Sequence, residues 1–220
     1  MRILVISPHP DDETLGCGGT LLRHYNEGDE VYCLIVTSMS IEDGWQKEKI
    51  SSREKEINQI NKIYDFKKIF TLGFPTTKLD EVSQSELINK ITDVYKLIKP
   101  EIIYTPFNND VHTDHQIISK VMNSTFKWFR YPFIKKVLMY ETISETDFNF
   151  SSSNVFKPNV YIDISSYLDQ KLEILKIYKS EIDKFPFPRS IEAVKALALL
   201  RGSQGGFHAA ECFQLVLNRR

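Results

Sequence analysis

Arg2-Ile3-Leu4-Val5-Ile6-Ser7 runs straight into Pro8-His9-Pro10-Asp11-Asp12-Glu13. The first six residues are a short apolar run ahead of a polar turn, the pattern of a buried strand. Glu30–Ser38, Lys68–Leu72, Glu101–Pro106, Lys136–Glu141 and Val160–Ile164 read the same way, and a last strand is expected near Glu211–Leu217. Helical patterns lie between them. Gly18–Asn26 follows the first strand, Lys47–Tyr64 carries Ile50, Ile57, Ile60 and Ile63 at helix-like spacing, and Ser85–Ile98 repeats this with Leu87, Ile88, Ile91, Val94 and Leu97. Two further helices are expected at Tyr167–Ile182 and Ile191–Leu200. Strands that alternate with helices imply right-handed crossovers, so the sequence predicts an α/β fold with a mainly parallel sheet flanked by helices. A single Rossmann-like domain spanning residues 1–220 accounts for the whole pattern, with no internal repeat. Ser151-Ser152-Ser153-Asn154 reads as a surface loop, and Phe185-Pro186-Phe187-Pro188 as a break between two helices.

The composition narrows the function classes. Among 220 residues, 28 Lys and Arg face 29 Asp and Glu, and this near-neutral balance argues against a nucleic-acid surface. A hydrophobic share of 42% supplies a substantial core and excludes a disordered chain. No apolar run approaches the ~18–20 residues of a membrane span. Pro8 and Asp11-Asp12 arrive before any hydrophobic region long enough for a secretory leader. Cys17, Cys33 and Cys212 are odd in number and widely spaced, which suits reduced thiols, so a cytoplasmic protein is expected. A homo-oligomer is compatible with this composition. Gly16, Gly18 and Gly19 resemble part of a dinucleotide fingerprint, but Leu21 stands where its third glycine belongs. These glycines are expected instead to let a helix pack close to the sheet.

Three of the five histidines fall in two acidic clusters, each directly after an expected strand: Pro8-His9-Pro10-Asp11-Asp12-Glu13 and Asp110-Val111-His112-Thr113-Asp114-His115. Ligands of open α/β sheets bind at the carboxyl ends of the strands, so both clusters belong to one edge. If Thr113–Met122 is a helix, His112 and His115 share a face of its first turn. His9, Asp12 and His115 then make a His₂Asp set suited to Zn²⁺, and Fe²⁺ or Co²⁺ would satisfy the same donors. Asp11 neighbours a ligand but projects differently, which suits a base that takes a proton from the attacking water. His112, on the other wall, suits oxyanion stabilisation as an imidazolium or protonation of a leaving amine. Asp114 suits an orienting partner for an imidazole. Any one of these residues alone is more often a helix cap or surface group than a ligand. Two such clusters at equivalent sheet positions argue for a site.

These two segments together closely resemble the PIG-L (LmbE-like) family of zinc-dependent N-deacetylases. Arg53 and Glu56 match an Arg-x-x-Glu pattern, Leu72-Gly73-Phe74-Pro75 a strand-end turn, and Arg201-Gly202, Gly206, Ala210-Glu211 and Phe213 a C-terminal block. The resemblance runs from residue 1 to about 215. It implies zinc at His9, Asp12 and His115, Asp11 as general base, and His112 as oxyanion stabiliser or acid with Asp114 beside it. It also implies Arg53 reaching toward the substrate, and removal of acetyl from an N-acetylglucosamine-type sugar or glycoconjugate. Two departures bear on the substrate. Thr76-Thr77 stands where many sugar-specific members place Asp, and Ala209 stands near the position of a catalytic tyrosine in some members, leaving His208 as the nearby polar candidate for substrate contact. An amidase of a larger thiol or aminoglycoside conjugate, or a metal- or sugar-nucleotide-binding module without catalysis, are the alternatives.

Other residues read more plainly. His24 is expected to meet a helix C-terminus. Phe126, Trp128, Phe129, Tyr131 and Phe133 suit core, interface or a sugar subsite. Cys17 has no base beside it to make it a nucleophile.

Overall fold

The computed structural model describes residues 1–151 and 153–220. Ser152, part of the segment expected to be a loop, lies outside the described residues, and its neighbours Ser151, Ser153 and Asn154 are exposed. Strands β1 (Arg2–Ser7), β2 (Glu30–Ser38), β3 (Lys68–Pro75), β4 (Ile102–Pro106), β5 (Lys136–Tyr140), β6 (Val160–Asp163) and β7 (Ala210–Asn218) form one sheet in the order β3-β2-β1-β4-β5-β7-β6. The first five in that order pair in parallel, whereas β7 runs antiparallel to both β5 and β6. The helices are α1 (Asp12–Asn26), α2 (Lys47–Tyr64), α3 (Gln84–Ile98), α4 (Thr113–Thr125), α5 (Leu168–Leu175) and α6 (Ile191–Gly205). Together they make a single α/β domain of the expected class. No helix among the described residues is long and apolar enough to cross a membrane.

Strand alternation sorts the core into two faces. Ile3 and Val5 of β1 pack with Cys17, Leu21 and Leu22 of α1 and Ile60 and Tyr64 of α2. Leu4 and Ile6 point the other way, onto Leu87, Ile91 and Val94 of α3 and Ile118, Val121 and Met122 of α4. Every one of these β1 side chains is fully buried, so the strand is anchored from both sides. The chain leaves β1 toward β2 and β3 on one side and returns to β4 on the other. This reversal opens a crevice between the carboxyl ends of β1 and β4, the usual ligand position in such sheets.

β3 runs on past the expected Leu72 to Pro75 and α6 past Leu200 to Gly205, and two further boundaries moved for packing reasons. α1 starts at Asp12 rather than Gly18, because its glycines face neighbours too close for a side chain. A Cβ at Gly16 would enter the Tyr140 ring, and one at Gly19 would stand 2.7 Å from Ile164 Cβ. α5 ends at Leu175 rather than Ile182. Beyond it, tight bonds from Ile177 N to Ile174 O (3.0 Å) and Tyr178 N to Leu175 O (3.1 Å) turn the chain so that Ser180 and Glu181 meet Arg53. A buried ion pair braces α1 from the far side. Lys171 Nζ bonds Glu211 Oε1 (2.6 Å) and Leu15 O (2.8 Å), and the Glu211 carboxylate accepts the Gly19 (2.9 Å) and Thr20 (2.7 Å) amides.

Gly16→Ala is expected to lower stability by about 1–3 kcal/mol through overpacking against Tyr140, measured by denaturant unfolding.

Candidate functional site

The acidic segments after β1 and β4 meet across the crevice. Asp12, in the first turn of α1, turns Oδ2 toward both His115 Nε2 (3.2 Å) and His9 Nδ1 (3.4 Å), and the same oxygen accepts the His9 amide at 2.8 Å. Each imidazole has its other nitrogen on a second carboxylate: His9 Nε2 on Asp114 Oδ2 (3.1 Å) and His115 Nδ1 on Asp110 Oδ2 (2.8 Å). Those carboxylates are held in turn. Asp114 accepts the amides of Thr77 (2.7 Å) and Leu79 (3.2 Å), and Asp110 accepts the Thr146 hydroxyl (2.6 Å). One ligand atom from each of His9, Asp12 and His115 lies within 4.8 Å of the others.

The electrostatics fit a cation. Burial alone would push both imidazoles down. Bonds to Asp114 and Asp12 outweigh it and lift His9 to about 9, and Asp12 and Asp110 lift His115 to about 10. A field that draws protons onto both rings is one that a divalent ion would satisfy by displacing them. Two imidazoles and a carboxylate, each ring oriented by a further carboxylate, are a donor set suited to Zn²⁺.

Asp11 occupies the N-cap position of α1 but makes no capping bond. Its carboxylate turns away to Arg189 Nη1, 2.9 Å from Oδ2. Burial, followed by the charge of Asp12, pushes its carboxyl well above the usual range, against the pull of Arg189 and Arg53. Asp11 also sits at φ 139°, a conformation that costs a side-chain-bearing residue about 1–3 kcal/mol. Glu13 holds it there: Oε2 accepts the Asp11 amide (3.1 Å) and the Ser7 hydroxyl (3.1 Å), while Oε1 accepts Tyr178 Oη (2.8 Å).

His112 does cap its helix. Its Nδ1 accepts the Asp114 amide at 3.1 Å, so the neutral ring carries its proton on Nε2. Burial and the neighbouring His9 and His115 push its pKa down to about 4. That direction favours the neutral ring, whose Nε2–H is free to donate a hydrogen bond. Its ring centroid lies 4.4 Å from that of His9, and both rings line a cavity of about 480 Å³ that Asp11, Arg53 and Arg189 also line.

The sequence profile of the PIG-L family, described as GlcNAc-PI de-N-acetylase, matches residues 4–126, more than half of the chain. The chain belongs to the PIG-L family. The diacetylchitobiose deacetylase of Thermococcus kodakarensis is 26% identical over 231 residues, spanning 98% of this chain and 83% of that protein. The probable N-acetyl-alpha-D-glucosaminyl L-malate deacetylase 2 of Bacillus anthracis is 22% identical, spanning 82% of this chain and 81% of that one. The structure of N,N'-diacetylchitobiose deacetylase from Pyrococcus horikoshii aligns with a TM-score of 0.78 at 20% identity, covering 98% and 84% of the two chains. These three relatives are named as deacetylases of N-acetyl sugars.

Within this PIG-L domain the other expected residues divide. Arg53 reaches the cavity, but its guanidinium is engaged by Pro10 O (2.8 Å), Ser180 Oγ (3.1 Å) and Glu181. It therefore pins the loop that carries His9 and Asp11. His208 lies exposed in the turn between α6 and β7, outside the cavity lining, and Ala209 beside it is buried. The aromatic residues after α4 also lie outside the lining. His24 is buried, bonded to Asp29 Oδ2 (2.7 Å) and Tyr104 Oη (2.9 Å) rather than to a helix end. Sequence reasoning gave no role to Asp110, whose place five residues before His115 was a usable signal, or to Arg189 and Glu181, which nothing local marks.

Asp110→Ala leaves His115 without its orienting carboxylate, so Zn²⁺ affinity is expected to fall by about 10–100-fold in a calorimetric titration.

Proposed function

We propose that this PIG-L protein is a zinc-dependent N-deacetylase that releases acetate and a free amine from an N-acetylated amino sugar. The observation that carries this is the convergence of His9, Asp11 and His112 on one cavity, with Asp12 Oδ2 facing both His9 and His115 just behind its wall. The named relatives, deacetylases of N-acetyl sugars, support the substrate class.

His9 Nδ1, Asp12 and His115 Nε2 would hold the ion. Zn²⁺ there supplies Lewis acidity toward the amide carbonyl and the attacking water. Asp11, with its raised affinity for a proton, takes one from that water as oxygen adds to the carbonyl carbon. His112 donates from Nε2 to the oxygen that gains charge, and as a neutral ring it does so without surrendering its proton. The proton held by Asp11 then passes to the leaving nitrogen as the C–N bond breaks. Arg189 limits how strongly Asp11 holds that proton and keeps the carboxylate facing the cavity. Asp114 and Asp110 keep the two imidazoles oriented. We assign the reaction to the cytoplasm, a placement supported by Cys17, Cys33 and Cys212 being free thiols.

Amine release from free, nucleotide-linked, lipid-linked and thiol-linked N-acetylglucosamine, with and without chelator, tests the reading. Chelator-sensitive release restored by Zn²⁺ is expected, and no release from any substrate by zinc-loaded protein overturns it. Asp11→Asn is expected to retain zinc while turnover falls by about 10²–10⁴-fold. His112→Ala is expected to lower turnover with zinc content unchanged, and loss of zinc instead would make His112 a ligand.

A further inference from the structure

The cavity extends well past the His/Asp cluster. Its other wall comes from the segment after β2 and from α2, where Ile50, Arg53 and Ile57 fall on one helical face at three- and four-residue spacing. Met39 and Trp45 line the same cavity. The chemistry of the lining is uneven. Near the cluster it offers hydroxyls and charge, from Thr37, Thr76 and Arg189, whereas on the α2 side Met39, Trp45, Ile50 and Ile57 add four apolar side chains beside Glu54 and Asn58.

Those side chains are not an overflow of the core. Met39, Trp45 and Ile50 are all half-buried, yet none belongs to any of the three hydrophobic clusters among the described residues. Ile57 alone packs against the α1–α2 core and ties the wall to the fold. Apolar side chains that gather around a cavity instead of a core are what a ligand's apolar surface covers. The volume, about 480 Å³, falls in the range that accepts ligands larger than one sugar ring.

We infer that Met39, Trp45, Ile50 and Ile57 form a subsite for an apolar aglycone, so that the substrate is an N-acetyl amino sugar carrying an aryl or alkyl group. The inference rests on the deacetylase reading for the bond that is cut, but not for where the apolar group sits. In it, the acetamide faces Asp11 and His112 while the aglycone lies between Trp45 and the Ile50–Ile57 face of α2. Burial of a ring there lowers KM without assisting the chemical step, because the contact is the same before and during reaction.

The test compares methyl, phenyl and n-hexyl β-glycosides of N-acetylglucosamine, and N,N'-diacetylchitobiose, on the zinc-loaded protein. Phenyl and hexyl glycosides are expected to show a KM about tenfold below that of the methyl glycoside, at similar kcat. Trp45→Ala and Ile50→Asn, with folding verified by thermal unfolding, are expected to bring the phenyl-to-methyl ratio of kcat/KM toward one. Equal KM for all glycosides, a preference for the disaccharide, or a ratio unmoved by both substitutions overturns the subsite. If no substrate releases amine, the deacetylase reading fails on its own. Calorimetric Kd values for the phenyl and methyl glycosides then decide the subsite by the same ratio.

Discussion

Asp12 Oδ2 is the oxygen on which this structure turns. It is buried, it faces one nitrogen of each of two imidazoles, and it accepts the His9 amide. A carboxylate taken out of water is costly unless it is matched by opposite charge and hydrogen bonds. Its surroundings supply both, since His115 and His9 hold its carboxyl well below the usual range despite the burial that pushes the other way. The two imidazoles are then turned by Asp110 and Asp114, so that a nest of carboxylates and imidazoles forms around a single point.

The scaffold delivers these groups through the parallel pairing of β1 with β4, where Ile3 meets Ile102 and Val5 meets Tyr104. Each strand ends in a turn that starts a helix, and those turns together with the first turn of each helix carry the His and Asp residues of the cluster. Proximity costs local strain. Asp11 takes a positive φ that its side chain resists, and the Glu13 carboxylate, fixed by Ser7, Thr14 and Tyr178, compensates by binding its amide. Arg189 and Arg53 meet at Glu181, so the segment after α5 is tied to the segment after β1 by charge.

Much of this was legible in the residues. β1, β2 and α2 fall where their hydrophobic periods put them, because a buried strand or a half-buried helix face leaves a period that packing cannot disguise. The early start of α1 was hidden by Gly16, which lowers helix propensity yet is required by the Tyr140 ring. The short α5 was hidden for the opposite reason: its apolar spacing continues through Ile182, but charge pairing at Glu181 pulls the chain out of the helix.

The fold class, the two acidic clusters and the sheet edge they share can be read from the residues alone, since strand periodicity and the residues just after each strand are local properties. The sequence did not reveal that Arg189 stands at Asp11, that Arg53 braces the loop instead of reaching freely into the cavity, or that His208 lies outside it. Nor did it reveal that burial and the neighbouring imidazoles push the pKa of His112 down. Those outcomes depend on which distant segments meet, 178 positions apart for Asp11 and Arg189, and on the burial that their meeting creates. Charge state and hydrogen-bond direction follow from that burial, so only the tertiary structure decided them.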